Sequence, residues 1–293
     1  MQRSPYEPAF SLNECKKLAE LAEANCMADF CRAAPAYIAE AHGLYVEQRP
    51  SYTLTLVKDQ RNFGMYNRVF ALGVGQPTTE EEVEQVVDRY RQANLPFLVR
   101  LSPDAQPPKL LHWLKTGGLV LDQAETSARF YTQPGSLMPL SSPLSIREVG
   151  AVEAADFARI ACLDHHPALQ MWLLATLGRP GWHHYLAFEA EVPIATGVLY
   201  IQERIGWLGW AATLPAYRRK GAHQALLVHR LNEAMKMGCV LVSAETRGET
   251  EDAPNPSYHN LQRLGFQLAY LRLHYHFDPV LSELVSEVSQ ERK

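Results

Sequence analysis

Residues 205–238 read IGWLGWAATLPAYRRKGAHQALLVHRLNEAMKMG, and this stretch decides how the second half of the chain folds. A strand-like run, Ile205–Leu214, ends at a proline, a basic turn follows, and a helix with periodic apolar residues begins at once. The first turn of a helix has N–H groups without intrahelical partners, and its dipole favours negative charge. The turn carries the cations Arg218, Arg219 and Lys220, which would disfavour a helix start unless an anion were bound there. The stretch therefore predicts an anion-binding site.

At these residues the chain resembles the GNAT superfamily of acetyl-CoA-dependent N-acyltransferases, whose phosphate loop cradles the pyrophosphate of CoA. The family pattern is Arg or Gln, two residues, Gly, one residue, and then Gly or Ala. Residues 218–223 read RRKGAH, so Gly221 allows close backbone approach, while the bulkier and titratable His223 replaces the last small residue. The distal Asn255, Ser257, Asn260 and Gly265-Phe266 resemble the last helix and strand of the family. The alternative is an exposed basic helix start that binds no ligand.

The resemblance implies acetyl-CoA (CoA) as the cofactor. In the family a bulge parts the fourth and fifth strands, so that the pantetheine arm pairs with the free strand edge. The amides of residues 219–224 would hold the pyrophosphate. The cofactor-binding residues are then Ala211, Ala212, Thr213, Arg218, Arg219, Lys220, Gly221, Ala222, His223, Gln224, Asn255, Ser257 and Asn260. Two alternatives stay open, namely plain strand packing for Ala211 and Ala212, and helix capping by Asn255 or Ser257.

Acyl transfer from a thioester to an amine also needs an oxyanion donor and a base. The resemblance gives the first role to the backbone N–H near Thr213. Glu245 ends the predicted fifth strand, where several family members carry a catalytic glutamate, and it would take a proton from an amine whose reference pKa is about 10.4. The alternative for Glu245 is a salt bridge to Arg247 or Arg263.

The leaving thiolate needs a proton donor, and here the chain departs from the family. The usual tyrosine lies four residues before the Gly of the final Gly-Phe, a position that Leu261 occupies. Tyr258 lies one helical turn earlier and is the candidate acid. A water-mediated donor and direct expulsion of the thiolate are the alternatives.

The order of elements repeats along the chain. Residues 71–77 followed by a helix match residues 209–215 followed by a helix, and residues 114–121 line up with residues 261–268. We therefore expect an α/β (α+β) protein of two GNAT-like domains, each a mixed, mostly antiparallel central sheet flanked by helices. The expected ranges are 1–135 and 144–293, joined by a Pro- and Ser-rich linker at 136–143.

Only the second copy carries the basic turn. The corresponding turn of the first copy is the acidic Thr78–Glu82, whose carboxylates would repel a pyrophosphate. The first copy is therefore expected to be a degenerate structural domain that binds no CoA and walls the acceptor pocket.

Periodicity predicts the individual elements. The expected helices cover 11–33, 79–93, 107–115, 152–163, 168–177 and the stretch after Gly221. The expected strands cover 52–57, 67–74, 97–101, 119–121 with 127–131, 144–148, 185–189, 195–202, 205–214 and 239–245.

Composition excludes several classes of protein. The 293 residues have a net charge of -4, which argues against a general nucleic-acid surface, and no stretch approaches the ~18 apolar residues of a membrane span. Five cysteines without a C-x-x-C pair indicate reduced thiols and a cytoplasmic protein. The pairs His165-His166, His183-His184 and His274-x-His276 lack further ligands at metal spacing, so no metal site is expected.

The expected function is transfer of an acetyl group from acetyl-CoA to a primary amine of a small molecule or protein, by a monomer or homodimer. Acidic residues in the loop 246–254 favour a cationic acceptor, or are simply solvated. Two rivals remain: a non-catalytic acyl-CoA-binding sensor, which the absent tyrosine permits, and a helix-based binder of phosphate or RNA, whose affinity would depend on salt.

Overall fold

The computed structural model of the chain describes residues 10–59, 66–140, 142–163 and 168–280. Its elements in chain order are α1 (Leu12–Ala33), α2 (Ala36–Ala41), β1 (Leu44–Arg49), β2 (Tyr52–Val57), β3 (Arg68–Phe70), α3 (Glu80–Gln92), β4 (Phe97–Leu101), α4 (Leu110–Thr116), β5 (Val120–Thr132), β6 (Ser145–Glu148), α5 (Ala154–Ala161), α6 (Ala168–Leu174), β7 (Trp182–Glu189), β8 (Val192–Gln202), β9 (Ile205–Thr213), α7 (Ala222–Lys236), β10 (Leu241–Arg247), α8 (Pro256–Arg263) and β11 (Gln267–Phe277). No helix of the described ranges is long and apolar enough to cross a membrane.

The chain forms two compact units. Unit 1 takes residues 1–22 and 128–269, and unit 2 takes residues 23–127 and 270–293. The predicted mixed sheet flanked by helices is confirmed, with antiparallel and parallel strand pairs among the strands of each unit.

Unit 2 contains the sheet order β1-β2-β3-β4-β11. Only the β3–β4 pair is parallel among the strand pairs described for this unit. Helix α3 buries Val83, Val86, Val87 and Tyr90 in its core. Thr79 and Glu82 cap α3 reciprocally, so the N–H groups of these two residues are bound by the protein's own side chains.

Unit 1 contains the sheet order β5-β10-β9-β8-β7-β6, with β6 to β9 antiparallel and β9–β10 parallel. Helix α7 packs on one face, where Leu226 and Leu231 share a core with Val242. The start of α1 packs on the other face, where Ala19 shares a cluster with Leu241. Because Leu241 and Val242 are adjacent on β10, their side chains mark opposite faces of the sheet.

Most of the predicted elements are confirmed, including the cap of α1, where the Glu14 N–H donates to the Ser11 hydroxyl at 3.3 Å. The strand predicted at 67–74 ends at Phe70, because Ala71 and Gly73 have positive φ and turn the chain. The two strands predicted at 119–131 are one continuous β5, and α2 and β1 were not predicted.

The compact units do not follow the predicted ranges 1–135 and 144–293 along the chain. Residues 270–277 of β11 fall in unit 2 because they pair with β4, from Leu273 opposite Leu101 to Phe277 opposite Phe97. Residues 128–132 of β5 fall in unit 1, whose sheet they extend beside β10. Strand pairing therefore joins segments that lie far apart in sequence, and the linker at 136–143 stays a prediction.

Candidate functional site

The turn between β9 and α7 contains two residues with positive φ and leads into an uncapped helix. Gly221 is the residue before α7 and has φ +83°, and Arg219 has φ +64°. A Cβ added to Gly221 would meet nothing within 4 Å, so glycine is required here by backbone conformation and not by space. The first hydrogen bond of α7 runs from the Ala225 N–H to the Gly221 carbonyl at 2.9 Å, and no side chain caps the helix. The N–H groups of Ala222, His223 and Gln224 are therefore available to an anion.

The three cations of the turn have different partners. Arg218 donates from Nε to the Thr213 carbonyl at 3.2 Å and fastens the turn to the end of β9. Lys220 lies 3.2 Å from Glu189, in a surface pair with both side chains about half exposed. Arg219 is exposed and makes no ion pair with any residue that the structure describes. Of the three cations, Arg219 is thus the one whose side chain has no polar partner among the described residues.

The two central strands of unit 1 part beside this turn. Strand β9 pairs with β10 only from Ile205–Leu208 opposite Leu241–Ala244. On its other edge, β9 has an extra residue, because Val198 lies opposite Gly209 while Thr196 lies opposite Ala212. The bulge contains Trp210 at φ +44°. Residues 209–213 therefore present an unpaired backbone edge toward β10, with Ala211 exposed, as predicted for a bulge that parts these strands.

Two side chains hold the bulge. The Thr196 hydroxyl donates to the Trp210 carbonyl at 3.1 Å. Arg230, fully buried on α7, donates from Nη1 to the carbonyls of Val198 at 2.9 Å and Gly209 at 3.3 Å. Sequence reasoning missed Arg230, although an arginine among the apolar residues of α7 was a signal that could have found it.

Glu245 lies just beyond the point where the strands part, with its side chain 15% exposed. Arg129 on β5 donates from Nη2 to Glu245 Oε2 at 3.4 Å and from Nε to Glu20 Oε2 at 3.2 Å. Arg129 and Glu20 are fully buried, so their ion pair is shielded from water, while Glu245 stays partly exposed. The sequence predicted an ion pair to Arg247 or Arg263 as the alternative role of Glu245, and it did not single out Arg129.

Helix α8 closes the other side of the site. Asn255 caps it, accepting from the Ser257 N–H at 3.0 Å and donating to Thr246 Oγ1 at 2.9 Å and the Arg247 carbonyl at 2.7 Å. The capping role held open for Asn255 is therefore present, while contact of Asn255 and Ser257 with CoA stays a prediction.

His223 and Asn260 contact each other at the start of α7. Their Nδ1 and Nδ2 atoms are 3.1 Å apart, and Arg263 donates to Asn260 Oδ1 at 3.3 Å. Burial, aided by the charge of Arg230, lowers the pKa of His223 to about 4. His223 is therefore neutral at pH 7, and its Nδ1 can accept from the Asn260 amide. A neutral ring at this edge adds no charge to the anion site.

Tyr258 packs edge-to-face on Phe130, with ring centroids 4.8 Å apart. Burial, together with the charge of Glu249, raises the pKa of Tyr258, so its hydroxyl is protonated at neutral pH. Leu261, at the family's usual tyrosine position, is a buried core residue. Glu249 accepts from the Asn255 N–H at 3.0 Å and pairs with His259 at 3.0 Å, which leaves Glu251 and Asp252 as the exposed acids of the 246–254 loop.

Aromatic side chains gather beside the bulge, a feature that the sequence reasoning did not predict. The ring of Trp210 lies 5.3 Å from that of Trp207 and 5.4 Å from that of Trp182. Trp182 stacks on His184, whose ring contacts Phe157 of α5. His184 and Tyr185 are adjacent on β7, and Tyr185 faces α7, so this cluster lies on the sheet face opposite α7.

No group of three potential metal ligands is found among the residues with described positions. His183 pairs with Glu148 at 3.2 Å and His276 with Asp122 at 3.3 Å, which are polar roles. His165 and His166 lie outside the described residues.

A family model matches part of the second half of the chain. Residues 152–266 match the family model described as Acetyltransferase (GNAT) family. A comparison with the curated proteins found no match.

Solved structures share the fold over most of the chain. A GCN5-related N-acetyltransferase from Kribbella flavida is 18% identical, with a TM-score of 0.59, over 88% of this chain and 94% of that one. A tandem GNAT protein from the clavulanic acid biosynthesis pathway is 10% identical, with a TM-score of 0.56, over 92% of this chain and 97% of that one. A GCN5-related N-acetyltransferase from Sphaerobacter thermophilus is 12% identical, with a TM-score of 0.54, over 80% of this chain and 76% of that one. At these identities the likeness shows the fold alone.

Proposed function

Residues 152–266 form a domain of the acetyltransferase (GNAT) family, and from this premise we propose that the chain transfers an acetyl group from acetyl-CoA to a primary amine of a small molecule or protein. One observation carries the proposal. The uncapped start of α7 and the unpaired edge of β9 lie at the two ends of one short turn, so that a diphosphate and an extended amide chain can bind side by side.

The described residues fit CoA. The amides of residues 222–224 and the Arg219 guanidinium would bind the diphosphate, because they are the donors that the protein leaves unused at this corner. The backbone of Ala211 to Thr213 would pair with the pantetheine arm. Asn255, Ser257 and Asn260 on α8 would line the other side. Acetyl-CoA supplies an activated acyl group, which leaves the sulfur as a C–N bond to the amine forms.

The protein's own groups would manage the charges of this transfer. A protonated amine loses two protons as the amide forms: a base passes one to solvent, and the other is balanced by the proton that an acid gives to the departing sulfur. Glu245 is the base, fixed by Arg129 and reached by solvent. The backbone N–H near Thr213 donates to the acyl oxygen. Tyr258, protonated at neutral pH, or a water molecule returns a proton to sulfur.

The acceptor would approach on the sheet face of Trp210 and Glu245. Trp210 offers an aromatic surface beside the bulge, and Glu251 and Asp252 add negative charge to the nearby loop. A cationic amine suits this combination. The first copy, whose corresponding helix start is capped by Thr79 and Glu82, would bind no CoA in such a tandem protein.

Isothermal titration with CoA tests the proposal. Arg219→Glu should weaken binding by about tenfold or more, since a charge-assisted contact to a diphosphate becomes a repulsion. The matched control is Lys236→Glu, which makes the same charge change at the far end of α7 and should bind CoA like the wild type. The proposal is refuted if the wild type does not bind CoA, or if Arg219→Glu binds CoA as tightly as the wild type.

A non-catalytic acyl-CoA sensor is the second candidate, because Leu261 lies in the core where the family's tyrosine is expected. The two functions differ in product. A thiol-release assay with a panel of amines that stays silent, in a protein that binds CoA tightly, would favour the sensor. A third reading, a binder of polyanions, predicts strongly salt-dependent binding of nucleic acid in place of CoA.

A further inference from the structure

Arg230 is a buried cation without a carboxylate partner. Its side chain is fully buried, and its three hydrogen bonds run to backbone carbonyls, from Nε to Leu226 at 3.1 Å and from Nη1 to Val198 and Gly209. Nη2 has no hydrogen-bond partner, and within the described residues no acid pairs with Arg230. Burial lowers the pKa of Arg230 to about 10, so it is still charged at neutral pH. Such a charge is costly to bury, which calls for a compensating role.

The location of the guanidinium suggests that role. Val198 and Gly209 are the last residues paired across β8 and β9 before the bulge, so Arg230 holds the root of the bulge. The strand makes room for it at Gly197, where an added Cβ would lie 2.7 Å from Cζ of Arg230. The backbone edge at 209–213, along which the proposed function places acetyl-CoA, begins at the same point.

We propose that Arg230 is a positioning residue for acyl transfer, which fixes the bulge through its backbone contacts and whose unopposed charge favours negative charge on an acyl oxygen bound at the edge of β9. A positive charge in a low-dielectric site acts strongly on charge that develops nearby. In the resting protein the guanidinium lacks a counter-charge, and it gains one as the acyl oxygen becomes negative, so the interaction strengthens toward the transition state. This inference rests on the proposed function.

Two variants separate the effect of the Arg230 charge from an effect on folding. Arg230→Met removes the charge and keeps a similar chain length. Gly197→Ala keeps the charge and displaces the guanidinium, and it should fold because the atoms in the way are the far end of a flexible side chain. The control is Gly206→Ala on β9, whose added methyl would meet only side-chain atoms of Val242 and Leu199 at 3.2–3.3 Å.

Three measurements on the full chain test the inference: titration with acetyl-CoA, kcat for acetyl transfer, and the infrared carbonyl stretch of bound acetyl-CoA labelled with carbon-13 at the acyl carbon. We expect kcat to fall by about 10- to 100-fold in Arg230→Met, less in Gly197→Ala and not in Gly206→Ala. Acetyl-CoA affinity should change by less than about threefold, because the diphosphate is held elsewhere. The carbonyl stretch should move to higher frequency in both test variants, as the carbonyl loses polarisation.

Several outcomes would overturn the inference. An unchanged kcat and an unchanged carbonyl stretch in Arg230→Met refute it while leaving the proposed function intact. If Arg230→Met does not fold, Gly197→Ala decides by the same two readouts. A wild type that does not bind acetyl-CoA refutes the proposed function itself. If the wild type binds acetyl-CoA without turnover, the carbonyl stretch alone decides the role of Arg230.

Discussion

Substituting Asn255 distinguishes a helix cap from a cofactor contact. In the structure the Asn255 side chain accepts one hydrogen bond at the start of α8 and donates two to the end of β10, and the residue is 8% exposed. An N-cap contributes about 1 kcal/mol, and each of the two donated bonds about 1 kcal/mol net. Asn255→Ala should therefore lower the free energy of unfolding of unit 1 by about 2–3 kcal/mol.

The assay is thermal unfolding followed by CoA titration. For a unit of this size the loss corresponds to a fall in melting temperature of roughly 4–12 °C. Asn255→Ser keeps an acceptor oxygen for the cap and loses the two donations, so its melting temperature should lie between those of Asn255→Ala and the wild type. Thr79→Ala removes a cap of the same kind from α3 in unit 2 and serves as the matched control.

CoA binding decides between the two roles. If Asn255 is only a cap, Asn255→Ser should bind CoA within about threefold of the wild type at a temperature where both are folded. A loss of affinity of about tenfold or more, with little change in melting temperature, would refute the reasoning and make Asn255 a direct ligand.

Two further predictions concern the base and the buried histidines of unit 1. Glu245→Gln should lower kcat/KM at neutral pH by about 100-fold or more, with partial recovery at high pH where the amine is already deprotonated. The control is Glu233→Gln. If the pH–rate profile of Glu245→Gln is identical to that of the wild type or of the control, Glu245 is not the base. His184 is buried, and desolvation lowers its pKa to about 3, below the unfolded value near 6.5. The stability that the neutral His184 ring contributes is therefore fully present above pH 6.5 and is lost as the pH falls toward 3. The melting temperature should fall from pH 7 to pH 5, and His184→Gln should flatten this slope, with a remainder due to His223, His229 and His274, whose pKa values burial also lowers. An equally steep slope in the variant would show that His184 does not cause it.

The sequence predicted the backbone of the corner around Gly221 because its signals are local, while binding of an anion there stays a prediction. A strand, a basic glycine turn and a helix without a capping side chain are neighbours in the chain, and backbone physics alone makes such a helix start an anion site. The capped helix start expected in the first copy is also present, since Thr79 and Glu82 form a capping box, while the absence of CoA binding by this copy stays a prediction.

The sequence reasoning missed the groups that come from distant segments. Arg129 reaches Glu245 from 116 positions away, and Arg230 reaches the bulge from α7. Neither residue belongs to a motif, and a charged residue in an apolar strand or helix does not by itself indicate its partner. The aromatic cluster around Trp210 was missed for the same reason.

The chain's sequence by itself determined most of its elements and the uncapped helix start after its basic turn, since those depend on periodicity, capping and local charge. Only the tertiary structure decided which strands join which unit. It also decided that Arg230 contacts the bulge and that Arg129 contacts the carboxylate of Glu245. Strand pairing and the burial of charge are settled by contacts between residues more than a hundred positions apart, such as β11 with β4 and Arg129 with Glu20. The free energy of these contacts depends on desolvation and geometry that no local pattern records.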